Sequence, residues 1–149
     1  MNEENIFLEI EESGDFIRIE LIDFSHPNAE LDWDKNWVSG FVNVKAGAFS
    51  GVFKADFMTV DFVSFKNKLA KLYDKLNGIA TFHTLESQVE IKIVGDGIGH
   101  LKAECEVMDY AGTGNKLVFE INFDQTHIPK ILNQLEKITK KFPKIGELK

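Results

Sequence analysis

The sequence has one cysteine, three prolines and two tyrosines in 149 residues, and Arg18 is its only arginine. Each scarcity removes a class of explanation. A lone Cys105 cannot close an internal disulfide, and a chain of this length buries roughly 68–70% of its unfolded surface without a staple. Phosphate-gripping faces are built from clustered Arg and Lys, so a single arginine disfavours direct nucleic-acid binding. No apolar run approaches the ~18 residues that span a bilayer, and Met1-Asn-Glu-Glu-Asn5 is acidic where a secretory signal is basic. The expectation is a cytoplasmic protein with no membrane segment.

Catalytic and metal constellations are equally scarce. His26, His83, His100 and His127 are scattered, with no pair at zinc-ligand spacing. Cys105 sits between Glu104 and Glu106, whose charge raises a thiol pKa instead of activating a nucleophile. Ser39, Ser50 and Ser64 lack a nucleophile-elbow context. Asp32-Trp-Asp34-Lys-Asn36 opens like a calcium loop, but Trp37 and Asn43 occupy the positions that need Gly and Glu. Gly95-Asp-Gly97-Ile-Gly99 is followed by an alternating strand, not by a helix whose N-terminus could hold a phosphate, and reads as a hairpin turn. No catalytic residue, cofactor or metal is expected.

What the chain does have is two copies of a strand-to-helix pattern. Phe53 and Phe57 precede Phe62, Phe65, Leu69, Leu72 and Leu76; Phe119 and Phe123 precede Ile128, Ile131, Leu135, Ile138 and Phe142. Steps of three, four, three and four put each apolar set on one helix face. Thr59 is expected to cap the first helix, with Asp61 favouring its positive end, and Asn77-Gly78 to stop it. The second helix opens near Asp124 or Thr126, tolerates Pro129 in its first turn, and ends in lysines before Pro143.

Alternating segments predict strands over residues 6–12, 15–24, 37–45, 49–57, 79–85, 88–94, 98–108 and 116–123, with turns at Ser13-Gly14, Gly47, Asp96-Gly97 and Gly112–Asn115. Residues 25–35 read as a loop. The fold class is α+β: a mostly antiparallel curved sheet of about eight strands, two amphipathic helices on one face, order ββββαββββα. One domain is expected over residues 1–149. Its two units suggest a duplication of halves at about 5–78 and 79–143, although any strand followed by an amphipathic helix has this look.

The net charge is −7, and it is unevenly placed. Residues 1–34 hold eleven carboxylates against Arg18 alone, a balance of −10, whereas residues 130–149 balance at +4. An acidic third suits a basic partner, or serves as a solvated face that maintains solubility. Within that third, Trp33 and Trp37 bracket Asp34 and Asn36. Trp37 begins a strand and reads as an anchor to the core; Trp33, beside Glu30, Asp32 and Asp34, is the interface candidate.

Asp34-Lys-Asn36-Trp37-Val38 resembles the Asp-x-Asn-Trp-aliphatic signature of the WapI-like bacterial immunity proteins. The resemblance continues through Gly47-Ala-Phe-Ser-Gly51, the helix with Phe65, Leu69 and Leu72, the segment from Glu86 to Ile93, Gly97-Ile-Gly99, and Phe123-Asp124-Gln125-Thr126, over roughly residues 15–142. Val38 stands where Leu is more usual. The resemblance implies binding without catalysis: a cytoplasmic antidote to the C-terminal toxin, often an RNA-cleaving nuclease, of a contact-dependent inhibition system. It also implies a protein partner, a cognate and basic toxin domain. The toxin-binding candidates are Glu30, Asp32, Trp33 and Asp34, and the signature residues are Asp34, Asn36 and Trp37. A small-ligand or regulatory module using the concave sheet face, and an enzyme with clustered perturbed carboxylates or histidines, stay open as rival readings.

Overall fold

A computed structural model describes residues 5–147; Glu3, Glu4 and Lys149, counted in the charge asymmetry, lie outside the described residues. Strands β1 (Ile6–Glu12), β2 (Asp15–Phe24), β3 (Trp37–Ala46) and β4 (Phe49–Met58) form one antiparallel sheet in chain order. Strands β5 (Asn77–His83), β6 (Val89–Asp96), β7 (His100–Met108) and β8 (Lys116–Asp124) form a second. The eight expected strands are therefore divided between two sheets of four. Helix α1 (Asp32–Lys35) is a single turn between β2 and β3, α2 (Thr59–Lys75) follows the first sheet, and a 3₁₀ turn (Gln125–His127) leads from the second sheet into α3 (Ile128–Lys141).

Alternation decides which strand face enters the core. Ile17 lies opposite Val44 and Ile19 opposite Val42, all buried, while Arg18 and Glu20 between them reach the outer face. The Ser13-Gly14 hairpin turn works because both residues adopt positive φ, 53° and 93°, which matches the twist of the paired strands. A bulge between Leu21 and Asp23 turns β2 toward the loop that follows.

Each helix leaves its own sheet and packs against the first strand of the other. Thus α2 lies along β5 and α3 along β1, and the two helices also contact each other. All four inner residues of α2 before its cap, Phe62, Phe65, Leu69 and Leu72, are buried, as are Ile128, Ile131, Leu135, Ile138 and Phe142. The Phe82 ring of β5 lies 5.2 Å from Phe62 and 5.6 Å from Phe65, with Phe57 of β4 5.8 Å from Phe62. This aromatic cluster joins both sheets through α2, and each such fully buried side chain contributes about 1.5–3 kcal/mol of transfer free energy.

Two helix-end expectations require correction. Thr59 is the first helical residue and does not cap; extended Met58 occupies the cap, and its N–H is accepted by Asp61 Oδ2 at 3.0 Å. The Thr59 hydroxyl donates instead to Asn36 Oδ1, a partner invisible at sequence range. At the other end the left-handed position belongs to Leu76, with φ 58°, and Asn77-Gly78 already begins β5. The Leu76 carbonyl then accepts the Gly97 N–H at 2.7 Å. A Cβ on Gly95 would stand 2.5 Å from that same carbonyl oxygen, so this crossing of α2 over the second sheet needs glycine there.

Candidate functional site

The loop between β2 and β3 carries the acidic and aromatic residues singled out from the sequence. Its neck is closed by the Ser25 N–H, which donates to the Trp37 carbonyl at 2.9 Å, and a turn follows in which the Ala29 N–H reaches the His26 carbonyl. The expected unstructured run is broken by α1. There the N–H groups of Asp34 and Lys35 converge on the Leu31 carbonyl, and that of Asn36 reaches the Trp33 carbonyl. One turn is too short for any apolar period to announce it.

Asn36 holds this turn in place. It is completely buried, and its carboxamide makes four hydrogen bonds: Nδ2 donates to the carbonyls of Asp32 at 2.7 Å and Ile145 at 2.9 Å, while Oδ1 accepts from the Ile145 N–H at 2.8 Å and from the Thr59 hydroxyl. Its backbone carbonyl also accepts the Thr59 N–H. One side chain thus ties α1, the start of β3, the first residue of α2 and the segment after α3. Its oxygen faces Thr59 and Ile145 and is not presented to Asp32 and Asp34 as a calcium ligand.

With the turn fixed, the candidates fall on both sides of the boundary with solvent. Glu30 is exposed, Trp33 is 43% exposed beside Leu31 at 66%, and Asp32, Asp34 and Trp37 are half-buried. Asp32 faces Lys35 at 3.6 Å. Asp34 and Trp37 line a surface depression together with Ser25, His26 and Pro27. The structure brings Glu30, Asp32, Trp33 and Asp34 onto one short segment, with Leu31 as an apolar neighbour that the sequence did not single out. Asn36, by contrast, is a strut and touches no solvent.

Elsewhere several titratable groups are engaged within the fold. Burial pushes the Cys105 thiol up to about 12, which leaves it un-ionised at neutral pH. Burial likewise pushes Asp61 up to about 6, opposed by the Met58 N–H and by the charge of His83. Asp96 is held below its ordinary value chiefly by the Ile98 N–H, and it caps the Gly95–Gly99 turn by accepting from the His100 N–H as well. The histidines are dispersed: His83 contacts Glu90, His100 contacts Asp96, and His127 contacts Glu12. Among the described residues no three His, Cys, Asp or Glu converge in a metal-binding group, and no helix is long and apolar enough to cross a membrane.

The sequence model of the immunity protein WapI-like family matches residues 7–143. The chain belongs to that family. Membership supports an immunity-protein role, in which the partner is a toxin protein. The Asp34-Lys-Asn36-Trp37 segment lies at the anchored turn, and its Asn36 is the buried strut. No curated protein matches the chain. A crystal structure of Trypanosoma brucei MRP1/MRP2 aligns at TM-score 0.50 and 9% identity, over 92% of this chain and 84% of that one. Identity that low shows likeness of fold alone.

Proposed function

We propose that this protein is the cytoplasmic antidote to the C-terminal toxin domain of a bacterial contact-dependent inhibition system, that the toxin is a basic RNA-cleaving nuclease, and that the loop bearing Glu30, Asp32, Trp33 and Asp34 docks on it. The activity is occlusion without catalysis and needs no cofactor. The observation that carries the reading is Trp33: a large aromatic left 43% exposed on a turn that a buried asparagine ties to the core, between carboxylates. Interfaces concentrate their energy in such aromatic anchors, and a pre-formed turn reduces the ordering cost of binding.

The carboxylates and the indole have separable roles. Opposite potentials speed association, up to ~10⁸–10⁹ M⁻¹s⁻¹ at low salt, whereas a desolvated aromatic contact governs dissociation. Changing Glu30, Asp32 and Asp34 together to their amides should slow association with the cognate toxin domain and flatten its salt dependence. Trp33→Ala should mainly speed dissociation. If both variants bind and protect cells like the parent protein, the loop is not the interface and its charge serves solubility.

A further inference from the structure

Three of the four sheet edges are attended. Helix α3 lies along β1, where Gln134 Oε1 accepts the Glu9 N–H at 2.8 Å. Helix α2 lies along β5, with Lys68 donating to the Thr81 hydroxyl, and β8 faces β1. Along β4, Gln88 Nε2 reaches the Lys54 carbonyl at 3.3 Å. A Lys54 carbonyl turned away from β3 means, by two-residue alternation, that the N–H and C=O groups of Ser50 and Val52 turn outward too. The stretch Phe49-Ser50-Gly51-Val52-Phe53 has no charge and no proline, its register with β3 is unbroken, and Phe49 and Val52 are 67% and 66% exposed. Natural edges are ordinarily blunted by charge, proline or bulges, because an open ladder recruits another strand.

We propose that the β4 edge pairs with β4 of a second copy of this chain, forming a two-fold dimer in which two four-stranded sheets become one of eight. The antiparallel register is centred on Gly51. Ser50 then lies opposite Val52 of the second copy, and Val52 opposite its Ser50. Both pairs have outward-facing backbone groups, so each exchanges two N–H···O=C bonds. The same register sets Phe49 across from Phe53 of the second copy, an aromatic cross-strand pair that covers the exposed Phe49 ring. At the axis Gly51 meets its own copy, where the missing side chain permits the closer spacing of a pair without hydrogen bonds. Moving the centre to Val52 would put Ser50 opposite Lys54, whose carbonyl is already taken by Gln88.

Charge selects a second copy over a basic partner. A net charge of −7 makes copies repel, yet residues 37–58 carry Lys45 and Lys54 against Asp56 alone, so this hairpin does not add to that negative charge. That local balance offers a basic partner nothing. The edge also lies at the opposite end of the β3–β4 hairpin from the Ser25–Asn36 loop, because Trp37 pairs with Met58 and Ala46 with Phe49. Both loops stay open in the dimer.

Sedimentation of the full chain over a range from micromolar to hundreds of micromolar tests this. The parent protein should move toward twice the monomer mass as concentration rises. Val52→Pro removes an outward N–H without touching the β3 ladder, and Val52→Lys places a charge on each side of the axis. Both should stay monomeric with parental circular dichroism; if the proline variant does not fold, the lysine variant stands as the test. A parent protein that is monomeric throughout, or a dimer that survives Val52→Lys, overturns the proposal. So does a monomer that loses toxin binding on Val52→Lys, which would make the edge a receptor for the toxin's own strand.

Discussion

Replacing Asn36 by Ala removes four hydrogen bonds at once, and their surroundings set how much each is worth. Thr59 is 1% exposed, so its hydroxyl cannot be rehydrated and its loss lies at the upper end of the range for an unsatisfied buried group. Asp32 and Ile145 belong to half-buried segments that water can reach, so their three bonds count at the lower end. With ~3 kcal/mol for the stranded hydroxyl and ~0.5–1 for each of the other three bonds, the total expected for Asn36→Ala is about 4–6 kcal/mol. Thr59→Val, which removes one partner and keeps the shape, should cost about 1 kcal/mol. Asn36→Asp should be at least as harmful as Ala, because its second oxygen would face the carbonyls of Asp32 and Ile145. Urea unfolding followed by far-ultraviolet circular dichroism measures the global loss, and fluorescence of Trp33 and Trp37 reports on the loop itself. An Asn36→Ala loss no greater than that of Thr59→Val would refute the idea that this side chain holds the segments together.

Leu69→Ala and Leu135→Ala should each cost ~2–5 kcal/mol in urea unfolding, since both are completely buried between helix and sheet; losses under ~1 kcal/mol for both would remove the helices from the core. Cys105 should resist iodoacetamide in the native state and react on unfolding, and rapid stoichiometric labelling of folded protein would contradict its burial and raised pKa. Asp61 titrates at about 6 when folded against 3.8 ordinarily, so between those values the folded state binds more protons than the unfolded one. The Asp61 contribution to stability should therefore rise as pH falls from about 6 to about 4, and Asp61→Asn should abolish that component. Parallel pH profiles for the two proteins would expose the error.

Local patterns carried much of the architecture. Side-chain period follows directly from backbone geometry, so the helical steps from Phe62 to Leu72 and from Ile128 to Ile138 could be read as buried faces, and alternation located the strands to within a few residues. Hairpins were legible at Ser13-Gly14 and at Gly47, because positive φ restricts which residues occupy those turns. The acidic, aromatic character of residues 30–34 was legible for the same reason: it needs only neighbours in the chain. A single helical turn there was not, since one turn is shorter than the period that would reveal it.

Tertiary structure alone decided how the strands are shared between two sheets, because a hairpin-rich order is compatible with one sheet or two and the choice depends on where the helices pack. Each helix crossing to the other sheet's first strand leaves β1 and β5 covered and the Phe49–Phe53 end of β4 exposed. Asn36 makes the same point at atomic scale. Its residue type and its place beside the acidic, aromatic segment are plain in the sequence, but its partners Thr59 and Ile145 lie 23 and 109 residues away. Thr59, read locally, is a helix cap; brought against a buried carboxamide, its hydroxyl is worth more as a donor to Asn36 than as an acceptor at a helix end that Asp61 already serves. Local chemistry specifies what a polar group can do, and only the packed chain determines which buried partner it must satisfy.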